Sequence, residues 1–263
     1  IDDQLHTIAR DSRRQRLRVA LAEQLINFGR SSEAGRLLRE LADEVGQDQK
    51  LAFRRQAAEQ LLHAGHVSEG MELAGQVLRE IGEAPPRSFW ASMFSFMWGR
   101  LRLKLRGLAY TVRSEAEVPR AQLEHIDTLL TINKGLVLHL EIHAWVLHNR
   151  LVRLALDAGE PRRLGTMLAN EMTIVASFGG GGQNLVHELA SQARELAAIA
   201  GDTELDRVID FQRDLVDYAL NRFREATDQL CALLPRLDDV PGADWIRFRS
   251  EERRVGKECR LTC

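Results

Sequence analysis

Cysteine is scarce in this chain: there are three in 263 residues, one mid-chain and two within the last five positions. That number and placement exclude a disulfide framework and make a reducing compartment the default. Charge of one sign is also lacking, with 36 Lys and Arg against 38 Asp and Glu and a formal net charge of -2. Phosphate binding needs a concentrated basic footprint, so nucleic acid is not an expected partner. No apolar run reaches the ~18–20 residues that span a bilayer, so no membrane span is expected. The opening IDDQLHTIARDSRRQR is charged and has none of the apolar character of a signal peptide. With no initiator Met, it predicts a fragment that starts partway through a longer polypeptide. Six prolines and few alternating β-branched runs leave little material for strands.

What is present is a segment that occurs twice. Residues 22–38 read AEQLINFGRSSEAGRLL and residues 58–74 read AEQLLHAGHVSEGMELA. At a shift of 36 positions, Ala22, Glu23, Gln24, Leu25, Gly29, Ser32 and Glu33 fall on Ala58, Glu59, Gln60, Leu61, Gly65, Ser68 and Glu69. Each copy is an apolar-periodic stretch, a Gly turn and a second periodic stretch opened by Ser-Glu. A repeat of roughly 34–40 residues with that grammar is a helix–turn–helix unit, which buries its apolar faces by stacking on its neighbours.

The periodicity predicts a first helix from a cap at Asp11 or Ser12 to about Phe28. A second follows from Ser31 or Ser32 to about Val45, and a second hairpin over about 48–64 and 67–81. Gly29, Gly65 and Gly82 supply the left-handed conformation that helix C-termini favour. Ala34 and Gly70, at equivalent positions, would let paired helices approach closely. Pro85-Pro86 forces a break. From Ser88 the chain reads SFWASMFSFMWGRLRLKLRGLAY, its richest aromatic stretch. RLRLKLR alternates with period two, but no partner strand is evident, so the expectation is a helix. Its stripe of Trp90, Met93, Phe94, Met97, Leu101, Leu105 and Leu108 is expected to be core. Further helices are expected over about 119–133, 136–158, 161–178, 185–200, 203–220 and 223–234, for roughly eleven helices in all. DYALNRFREATDQL repeats the first unit, with Asn221 in place of Gly29 and Glu225-Ala226 matching Glu33-Ala34.

Few constellations carry chemistry. His139, His143 and His148 lie in HLEIHAWVLH, and two His at i and i+4 can share a metal. Glu141, however, sits about 200° around the helix from His139, so it cannot be the general base of an H-E-x-x-H site. The expectation is ordinary histidines and no metal. Gly179-Gly180-Gly181-Gly182 lacks both a preceding strand and a following Lys-Ser/Thr, and reads as an inter-hairpin loop, not a phosphate cradle. Cys231, without a neighbouring His or Cys, reads as a small core residue, and Asp238-Asp239 as solvated. No cofactor site and no catalytic residue emerge. The remaining candidate is partner docking by Trp90, Phe94, Arg100, Arg102, Lys104 and Arg106, aromatic on one side and basic on another.

Two resemblances add to this reading. Residues 249–259, RSEERRVGKEC, resemble the conceptual translation of a common sequencing-library adapter, so 249–263 are expected to be a non-native tail and 1–248 the repeat region. The unit with Gly29/Glu33/Ala34 and Gly65/Glu69/Gly70 resembles tetratricopeptide-like repeats. The run through PPRSFWASMFSFMWGRLRLKLRGL, VPRAQLEHID and LALDAGEPRRLGTMLANE resembles the C-terminal helical region of large bacterial serine/threonine kinases with a kinase–AAA-type ATPase–repeat architecture. The resemblance covers about residues 13–234. It implies an all-α fold, a right-handed superhelical array of antiparallel helix hairpins (an α-solenoid). It also implies a non-catalytic, cytoplasmic interaction or sensory region, with a protein or peptide in the repeat groove and the kinase and ATPase domains in cis. The chain has no Gly-rich loop with its Lys, no His-Arg-Asp loop and no Walker lysine, so no catalytic residue carries over. The repeat region of an ATPase-type transcriptional regulator and a free-standing adaptor are the alternatives. A helical hydrolase using the histidine-rich segment is the enzyme reading, disfavoured by its geometry.

Overall fold

In a computed structural model the described residues are 2–84, 88–137, 141–178 and 183–233. Among them the structure is all-α, with no strand. The helices are α1 (Asp2–Asn27), α2 (Ser31–Glu44), α3 (Gln47–His63), α4 (Val67–Glu80), α5 (Phe89–Arg106) and α6 (Arg120–Leu136). They continue with α7 (Glu141–Ala158), α8 (Pro161–Ser177), α9 (Gln183–Ala200), α10 (Thr203–Ala219) and α11 (Phe223–Leu233). None is long and apolar enough to cross a membrane. The expected break at Pro85-Pro86, the loop at 179–182, His139, Asp238-Asp239 and the tail 249–263 lie outside the described residues, as does the side chain of Cys231.

The chain divides into two compact units, residues 1–101 with 127–148, and residues 102–126 with 149–263, so α5, α6 and α7 contribute to both. In the first unit α1 packs on α2, α2 on α3 and α3 on α4. Leu38, Leu41, Leu61, Leu62, Val77 and Leu78 form its buried core. Three glycines press helices onto α3. A Cβ on Gly35 of α2 would lie 2.9 Å from Leu61 Cγ, and one on Gly70 of α4 would lie 2.6 Å from Leu62 Cγ. One on Gly135 of α6 would lie 2.8 Å from Leu62 Cδ1 and 3.2 Å from the Glu59 Cα. Absence of a side chain is what permits these close approaches. Gly70 therefore does what its spacing predicts, and Ala34 beside Gly35 is fully buried.

The twofold repeat extends beyond the matching letters. Gly29 and Gly65 adopt φ of 70° and 80°. The next N–H reaches back five residues in each copy, Arg30 to the Leu25 carbonyl at 2.8 Å and His66 to the Leu61 carbonyl at 2.9 Å. This double-bonded helix end satisfies carbonyls that would otherwise have no partner. It recurs at Gly82, at Gly201 and at Asn221, whose φ is 61°. Equivalent ion pairs tie each hairpin, Arg18 with Glu44 at 2.5 Å and Arg54 with Glu80. Ser32 Oγ lies 2.9 Å from His66 Nε2, joining the two turns.

In the second unit α8 packs on α9 and α10, and α10 on α9 and α11. Gly159 ends α7 at φ 69° and its N–H bonds the Ala155 carbonyl, while Arg113 N–H donates to the Gly159 carbonyl at 3.0 Å. A Cβ here would fall 1.9 Å from the Thr111 carbonyl oxygen, so only glycine fits. Pro161 then sits in the first turn of α8, whose cap is Glu160, accepting from the Arg162 and Arg163 N–H groups. Asp202 caps α10 in the same way through the Glu204 and Leu205 N–H groups. Between α8 and α10, Thr173 donates to Gln212 Oε1 at 2.6 Å and Gln212 donates to Asn170 Oδ1 at 2.6 Å.

Three expectations need correcting. The first helix begins at Asp2, so Asp11 and Ser12 lie inside it and not at its start. The second is capped at Arg30 with no side-chain bond, because the preceding left-handed glycine already fixes the turn, and Ser31 and Ser32 are helical. The helix expected to stop at Asn133 runs on to Leu136, since Gly135 serves as a contact surface for α3 and not as a terminator.

Candidate functional site: the outer face of helix α5

Helix α5 forms where expected, and RLRLKLR is helical to Arg106. A helix needs no partner for its backbone groups, whereas a lone strand would leave them unpaired. The face it buries is not the expected one. Ser92, Phe96 and Leu103 are buried, at spacings of four and seven residues, and Phe96 meets Trp145 with ring centroids 5.6 Å apart. The stripe expected to be core points outward. Trp90 is 78% exposed, Phe94 73% and Leu105 78%, and Met97 and Leu101 are exposed as well. Only Met93 and Leu108 of that stripe are half-buried. Phe89 and Trp98 add to the exposed apolar surface, and Phe89 packs edge-on to Trp90 at 5.4 Å. The reason is competition within one helix: two faces are apolar, and the narrow one carrying small Ser92 packs more closely than one crowded with two Trp rings.

The docking candidates thus separate by environment. Trp90 and Phe94 are free apolar surface. Arg102 and Lys104 are exposed on the last turns, and Arg100 is half-buried. Arg106 is engaged in the fold. It donates to Asp157 Oδ1 through Nη2 at 2.7 Å and through Nε at 3.1 Å, and to the Gly107 and Ala109 carbonyls at 3.1 Å each. Its place at the helix end also suits the dipole.

The three clustered histidines differ in environment. His148 is 2% exposed, His143 is half-buried, and His139 lies outside the described residues. Among the described residues no three His, Cys, Asp or Glu side chains converge on one point. No residue pattern marks Asp214 on α10, which is buried. Burial, then the nearby charges of Asp210 and Asp217, raise its carboxyl to about pH 7, opposed by Arg213. Tyr110 is raised by burial and by Glu195. Glu117 is lowered by hydrogen bonds from Ser114.

These features comprise an apolar, aromatic-rich helix face bordered by cations. No protein-family model, curated protein or solved structure matches the chain.

Proposed function

We propose that this chain is a protein-interaction scaffold, an α-solenoid of stacked helix hairpins with no catalytic role of its own. In this reading it is the cytoplasmic regulatory repeat region of a multidomain bacterial serine/threonine kinase. The repeat supports the scaffold: equivalent turns, equivalent glycines and equivalent ion pairs in two successive hairpins are the construction rule of such arrays. The observation that carries the function is the outer face of α5. Exposed aromatic and Met residues contiguous on one helix mark a place where a partner excludes water. A partner held there would bias the attached domains between resting and active states in proportion to its preference for one of them.

The test is made in the proposed parent kinase, with this chain as its repeat region. W90A/F94A should change kinase output several-fold while leaving the helical content and melting temperature of the array intact. Phe96→Ala serves as the control that damages packing. Output that responds only to Phe96→Ala would sink the docking role. A DNA-binding domain in place of the kinase in that polypeptide would move the output to transcription.

A further inference from the structure

The second unit holds a groove formed by α8, α9 and α10, with a volume of about 850 Å³. That is at the upper end of the range for ligand sites, roughly 300–1,000 Å³, and leaves room for several residues of extended chain. Its lining has two characters. Val186, Ala190, Val216 and Leu220 supply an apolar floor. Arg194, Arg213 and Arg222 stand on the walls; among the described residues Asp217 is the lining carboxylate, and Asp210 lies beside the groove as the partner of Arg194.

The arginines are held loosely. Arg194 Nη2 lies 2.9 Å from Asp210 Oδ1, and Arg222 Nη1 lies 3.4 Å from Asp217 Oδ1, each an exposed arginine on a half-buried carboxylate. Solvent-screened pairs of that kind are weak, so either guanidinium can turn to a better acceptor at little cost. Arg213 is exposed and has no ion pair among the described residues. A guanidinium presents a planar fork matched to carboxylate, and three around one groove can grip successive acidic side chains. An inorganic anion would leave the apolar floor unfilled, whereas a peptide alternating acidic and aliphatic residues satisfies both parts of the lining.

We propose that the groove of α8, α9 and α10 binds an acidic peptide segment, its carboxylates on Arg194, Arg213 and Arg222 and its aliphatic side chains on the Val186–Val216 floor. This extends the scaffold reading to a second surface, and the two surfaces are tested by different substitutions.

The probe is a fluorescein-labelled peptide of alternating glutamate and leucine, titrated by anisotropy against the full chain. A glutamine–leucine peptide is the neutral comparison. The acidic peptide should bind at least about tenfold tighter than the neutral one, as expected for charge-assisted bonds. R213E, an exposed position, should weaken it at least about tenfold while the helical content stays that of the parent chain. Ala190→Leu, which fills the floor, should weaken both peptides, while W90A/F94A should bind like the parent chain. Equal affinity for the two peptides overturns the proposal, as does indifference to R213E. Loss of binding in W90A/F94A alone overturns it too, because the outer face of α5 would then be the site. Each of these failures leaves the kinase-output test of α5 standing.

Discussion

Asn221 occupies at the end of α10 the place that glycine holds at the ends of α1, α3, α4 and α9, with φ of 61°. Asn tolerates the left-handed region better than other side-chain-bearing residues, and glycine better still. Asn221→Ala should therefore cost roughly 1 kcal/mol, and Asn221→Gly should be neutral or slightly stabilising. Equilibrium denaturation of the two variants checks the order. This position was legible because it repeats a pattern set by Gly29. Gly135 was not legible, since a glycine that ends a helix and one that admits a neighbouring helix look alike until α3 is in place. Asp214 was hidden for the same reason: a lone Asp in a helix reads as solvated until its neighbours bury it. Its folded-state pKa, about 7, lies above its ordinary value of 3.8. The native chain thus holds the extra proton between those values, and stability falls as pH rises through that window, levelling off above pH 7. Asp214→Asn should remove this part of the slope and raise the melting temperature at pH 8 more than at pH 4. An unchanged pH profile in the variant would refute the assignment.

Helix α5 shows how far periodicity reaches at the level of an element. The pattern predicted a helix against a competing period-two alternation, and the helix is there. It could not say which of two apolar faces turns inward, because both satisfy helical spacing. The decision rests on Ser92 and on Trp145 opposite Phe96, contacts with no local signature. Leu103 and Leu105 separate the two secondary structures cleanly. In a strand they would share a face, whereas here Leu103 is 5% exposed and Leu105 is 78%. Leu103→Ala should cost about 2–4 kcal/mol and Leu105→Ala less than about 0.5 kcal/mol. Similar losses at both positions would argue for period two.

For the whole molecule, hairpin order and helix number were readable because each turn carries its own chemistry: Gly29, Gly65, Gly159-Glu160-Pro161 and Gly201-Asp202 all end or start helices as their residues dictate. The ion pairs Arg18–Glu44 and Arg54–Glu80 share the same repeat spacing, but nothing in composition marks those Arg and Glu residues among many others. Binding surfaces were harder to read, since they consist of what folding leaves over. The proposed docking role rests on one such remainder, the outer face of α5. Urea unfolding of the full chain tests it most directly, comparing W90A/F94A with Phe96→Ala. Surface aromatics should cost less than about 1 kcal/mol to remove, while Phe96→Ala should lose about 3 kcal/mol or more. A comparable loss in W90A/F94A would mean that the aromatic stripe is core, and that α5 has no face to offer a partner.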